Sequence, residues 1–80
     1  MTLTVEHVNS STDTEEVLVF CDDAGLNLLL EQLQILKRHK GHVHLMTPAW
    51  AGKELTENKQ DPDSKLINHL RITLIPETRL

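Results

Sequence analysis

The stretch 22-DDAGLNLLLEQLQILKRHKG-41 decides the fold, because it carries the one sustained helical period in the chain. Leu26, Leu29, Leu30, Leu33 and Leu36 recur at the i, i+3, i+4, i+7 spacing of an amphipathic helix, which predicts them as the buried stripe. Asp22 or Asp23 can cap the start, since a short carboxylate accepts hydrogen bonds from the free amides of a first turn. Gly25 weakens the helix slightly. Lys37, Arg38, His39 and Lys40 fill the last turn, where cations complement the helix dipole, and Gly41 suits a left-handed stop. Leu28 and Ile35 fall off the stripe, one heptad apart. Either a loop covers them or they make a dimer or partner contact.

Working outward, residues 2–8 (TLTVEHV) alternate as a half-buried strand does. Leu3, Val5 and His7 share one face; Thr4, Glu6 and Val8 share the other. Residues 9–15 have turn composition. Residues 16–21 (EVLVFC) form a continuous apolar run, expected as a central strand covered on both faces, with Cys21 a small buried hydrophobe. After the helix, residues 42–46 (HVHLM) alternate, with Val43 and Leu45 inward and His42, His44 and Met46 outward. Residues 47–65 form a long polar segment with two prolines and a glycine. Loops of that length in a small domain are usually functional or disordered. Residues 66–75 (LINHLRITLI) give the last strand, with His69, Arg71 and Thr73 on one face, and Pro76 stops it. The tail after it is expected to be mobile.

The element order β-β-α-β-β, with a single helix, predicts an α+β fold. It is a four-stranded, mainly antiparallel sheet with the helix packed on one face, forming one domain over residues 1–80. The opposite face is then open. It is expected to present Thr4, Glu6, His42, His44, His69, Arg71 and Thr73.

Composition narrows the function. The chain is 39 % apolar and 25 % charged, a globular profile. One cysteine allows no internal disulfide, which suits a reducing compartment. No signal-like segment opens the chain and no apolar run reaches the roughly 18 residues of a membrane span, so a cytoplasmic protein is expected. All eight Lys and Arg lie from residue 37 onward, while residues 1–36 hold seven acids. An acidic half repels phosphate, and Phe20 and Trp50 are the only aromatics, so neither nucleic acid nor membrane is an expected partner.

Three chemistries remain to be weighed. His42 and His44, two apart on a strand, point the same way and could ligate zinc or nickel with His69 if the last strand lies alongside. No cysteine or acid stands at metal-ligand spacing, and histidines on a solvated strand are ordinarily polar surface. No nucleophile elbow, phosphate loop or paired carboxylate points to catalysis, and a small one-helix sheet implies no cleft. Neither an enzyme nor a cofactor is expected. Trp50, in 47-TPAWAG-52, is a rigid anchor of the kind enriched in binding hot spots; equally, it could fold back and plug a small core.

The combination GLNLLLEQLQIL, GHVHLMTPAWAGKELTE and INHLRIT resembles the small immunity proteins of bacterial polymorphic toxin systems, the immunity protein 32 family. The likeness runs from Gly25 to Thr73, roughly sixty per cent of the chain. Its most specific part is carried by His42, His44, Leu45, Met46, Thr47 and Trp50, followed by Gly52 and Glu54–Leu55. The resemblance implies an α+β domain that binds and occludes a cognate toxin without chemistry of its own. The partner-binding residues expected are His42, His44, Trp50, Glu54 and His69, with Glu6 as an electrostatic contributor. The acidic half would suit a cationic toxin. A small histidine-based metal-binding domain and a homodimerisation module are the alternatives.

Overall fold

A computed structural model describes residues 1–8 and 16–77. The expected turn at 9–15 and the end of the C-terminal tail, 78–80, lie outside the described residues. The described elements are β1 (Leu3–Val8), β2 (Val17–Cys21), α1 (Asp23–His39), β3 (His42–Met46), β4 (Ser64–Ile67) and β5 (His69–Thr73), with a short 3-10 turn at Pro48–Trp50. All pairings are antiparallel. The α+β class is as expected, with five strands in two sheets, β2-β1-β4 and β3-β5, in place of four strands in one.

The extra strand comes from a break in the long last segment. Residues 64–67 pair with β1, and residues 69–73 pair with β3. Asn68 is the corner between them. Its carbonyl accepts from the Thr47 amide at 3.0 Å, and its side-chain oxygen accepts from the Thr47 hydroxyl at 2.7 Å. A buried polar corner of this kind holds only when its groups are paired, and Thr47 does both jobs.

The loop after β3 closes the structure. The Leu55 amide donates to Met46 O at 3.1 Å, and the Thr56 amide donates to Leu3 O at 2.8 Å. Backbone hydrogen bonds therefore run in a circuit, from β1 to β4, round Asn68 to β5, across to β3, and back to β1 through residues 55–56. A closed circuit removes the exposed edge that an open two-stranded sheet would leave. Leu55 fills its interior, in one cluster with Leu3, Val5, Leu36, Val43 and Leu45.

Two expectations about burial are corrected. The helix is rotated relative to its leucine stripe: Gly25 and Leu36 are buried and Leu28, Leu29 and Ile35 pack on the core, while Leu26, Leu30 and Leu33 face solvent at 44, 48 and 40 % exposure. Gly25 sets this rotation. An added methyl there would run into the Thr2 carbonyl, so the helix can lie this close to β1 only with glycine inward. Asp22 caps the helix, accepting from the Gly25 amide at 2.8 Å and from the Thr2 amide at 2.9 Å. Lys40 (φ 64°) and Gly41 (φ 80°) then end it. The second correction concerns β2, which is an edge strand. Val17 is 61 % exposed and Cys21 is exposed, because β2 pairs with β1 on one side and has no strand on its other side among the described residues.

Candidate functional site

The outer face of β3–β5 gathers the histidines. Register places His44 opposite Arg71, Met46 opposite His69 and His42 opposite Thr73. Opposed residues project to the same face, so Val43 and Leu45 go to the core and the polar set goes out together. His44 Nδ1 and His69 Nε2 lie 2.7 Å apart, a separation that requires one nitrogen to carry a hydrogen and the other to be bare. The His42 and His44 rings meet edge to face at 4.7 Å between centroids, and His44 and His69 lie at 4.9 Å. The Trp50 ring stands 5.8 Å from that of His69 and is 55 % exposed. It does not plug the core; Leu55 does.

A dense set of bonds holds Trp50 in place. The Thr47 carbonyl accepts from the amides of Trp50 and Gly52, both at 2.9 Å. Ala51 follows in the left-handed region (φ 64°), turning the chain back. Gly52 then passes so close to Met46 that an added methyl would meet its backbone. Glu54 accepts from the Met46 amide at 3.1 Å, and Glu57 accepts from the Ala49 amide at 2.7 Å. The segment after β3 is thus a tied platform that carries one large exposed ring.

His44 titrates below the usual histidine value of 6.5. Desolvation comes first among the causes, followed by the like charges of His42, His69 and Arg71. Among the described residues, no acid pairs with His44 to offset them. The neutral form of His44 is therefore favoured, an imidazole able to donate and to accept, next to one guanidinium.

Of the six residues expected at the site, four converge: His42, His44, His69 and Trp50. Glu54 lies under the loop, half-buried, holding Met46. Glu6 and Thr4 correct the expectation of one open face. Both are fully buried, beneath the 58–64 segment. Glu6 accepts from the amides of Gln60 (2.9 Å) and Asp61 (3.1 Å) and from the hydroxyls of Thr4 and Ser64. Burial alone would raise its pKa, but the Gln60 amide, both hydroxyls and the Asp61 amide together lower it to about 2. Arg71, expected on the open face with His69, does stand there opposite His44. Thr47, part of the family-like stretch, is buried and ties the Trp50 loop to the Asn68 corner.

His69 does lie on the strand beside β3, which was the condition for a histidine metal centre. Among the described residues, however, no group of three or more His, Cys, Asp or Glu is arranged to hold a metal ion. No described helix is long and apolar enough to cross a membrane.

An exposed aromatic thus stands beside a strand face that carries three histidines and an arginine, on a small α+β scaffold. The model of the family Immunity protein 32 matches residues 16–70, more than two thirds of the chain, and the protein belongs to that family. No curated protein and no solved structure matches.

Proposed function

We propose that this protein neutralises a cognate protein toxin in the cytoplasm by binding and occluding it, acting as one domain and without chemistry of its own. The observation that carries this is Trp50: a large ring, more than half exposed, in a loop whose every turn is hydrogen-bonded. Family membership supports a protein partner, and a pre-organised aromatic loses little entropy on binding. His42, His44 and His69 would supply adaptable hydrogen bonds around it, and Arg71 a bidentate cation. Glu54 and Glu6 contribute by holding the loop that presents this face. With Arg71, three imidazoles and, among the described residues, no acid on it, the face is complementary to an acidic patch on the toxin; Glu6 lies on β1, and Asp22, Asp23 and Glu31 lie on α1 or its cap.

The test is co-expression with the toxin encoded alongside. The protein should co-purify with it and protect cells. Trp50→Ala should weaken the complex by about 2 kcal/mol or more, as truncation of a central anchor does, with an unchanged circular dichroism spectrum. Retained protection by Trp50→Ala and by the His44→Ala/Arg71→Ala double variant would refute this assignment of the surface.

A further inference from the structure

The second unpartnered surface is the outer face of α1, and we propose that it pairs with the same face of a second copy, antiparallel and about a twofold axis through Leu30. The face is made of Asp23, Leu26, Asn27, Leu30, Leu33, Gln34 and Lys37, all exposed. Three leucines at i, i+4, i+7 on solvent are what a globular helix avoids unless something covers them. They are not scattered: Leu33 also forms a wall of a groove of about 690 Å³ whose other apolar walls are Leu36, Leu74 and Ile75. Leu74 and Ile75 are themselves exposed.

The choice of a second copy rests on the charge pattern. Asp23 and Lys37 each stand seven residues from Leu30, on opposite sides of it and on the same face, since seven residues make close to two turns. Turning a second helix antiparallel about Leu30 sets Asp23 of each copy against Lys37 of the other. Leu26 then falls opposite Gln34, and Asn27 opposite Leu33, so the leucines of the two copies flank one another diagonally about the Leu30 pair. A parallel pairing would set like charge on like. The helix ends add to this, because the acidic first turn (Asp22, Asp23) meets the basic last turn (Lys37, Lys40), and antiparallel macrodipoles attract. This self-complementarity is the mark of an isologous contact. The histidine face lies on the other side of the sheet and stays free, so the dimer would present two recognition faces.

Sedimentation equilibrium on the full chain over a wide concentration range is the test, with the wild type expected to dimerise reversibly. Leu30→Lys should be monomeric over the same range while its melting temperature, extrapolated to low concentration, is unchanged; Leu26→Gln serves the same purpose with a smaller perturbation. Asp23→Lys and Lys37→Glu should each weaken association about tenfold, and the two together should restore it. A wild type that stays monomeric throughout, a dimer indifferent to Leu30 and Leu26, or a double charge reversal weaker than either single one would each overturn the proposal. So would a monomer in which Leu30→Lys abolishes toxin capture, since the face would then belong to the toxin.

Discussion

Glu6 and His44 show opposite outcomes for titratable groups on strands. The Glu6 carboxylate is out of water but surrounded by four donors, so its charged form wins. Its folded pKa, about 2, lies below its ordinary 4.5. A depressed acid contributes stability above its unfolded pKa and loses it as pH falls through the folded one. Urea midpoints should therefore drop between about pH 5 and pH 2, and Glu6→Gln should flatten that slope. The same substitution should cost about 1–3 kcal/mol at pH 7, because a carboxamide cannot accept from four donors. His44 runs the other way: its charged form is disfavoured by desolvation and by neighbouring cations. Its depressed pKa also means stability present above the ordinary value of 6.5 and lost as pH falls through the folded one. NMR titration should place His44 below 6.5, and Arg71→Gln should move it back up. A His44 value above 6.5 in the wild type would contradict the packing of the cluster.

Among the elements, the helix is the one whose reading changed most. Its existence, its Asp22 cap and its basic last turn follow from local chemistry, and they hold. Its rotation about its own axis does not follow from hydropathy, because leucines occupy nearly every side between residues 26 and 36. The backbone contact at Gly25 settles it. Glycine-to-alanine in a helix ordinarily stabilises by about 0.5–1 kcal/mol. Gly25→Ala should instead destabilise, by about 1–3 kcal/mol as overpacking does, measured by urea unfolding. Gly52→Ala should do the same through Met46, and should also blue-shift or quench Trp50 emission differently from wild type as the platform moves. A stabilised Gly25→Ala would mean the helix does not lie against Thr2.

Across the whole molecule, the circuit through residues 55–56 decides how a chain of 80 residues holds the Trp50 loop in place. Leu55→Ala should cost about 2–5 kcal/mol, since it empties the centre of the cluster. The Leu55 and Thr56 amides should exchange with solvent as slowly as those of β1, although they belong to no strand. Rapid exchange there would mean the circuit is open. Much of the plan was legible from residue order. Alternation marked β1 and β3, the period of 3.6 marked α1, and strand parity put His42 and His44 on one face; that His69 lies beside them came from the β3–β5 pairing. The α+β class comes from such short-range rules. What parity could not carry was any fact that depends on which elements end up side by side. The apolar run of β2 reads as central, yet it is an edge strand, because β4 took the other side of β1. Glu6 reads as outward, yet a segment more than fifty residues away folds over it. The last strand reads as continuous, yet it bends at Asn68, because one half must meet β1 and the other β3. The sequence by itself determined the elements and the outward direction of the histidines, since both depend on neighbours a few residues apart. The tertiary structure alone decided what each face meets, because burial depends on contacts that no local pattern encodes.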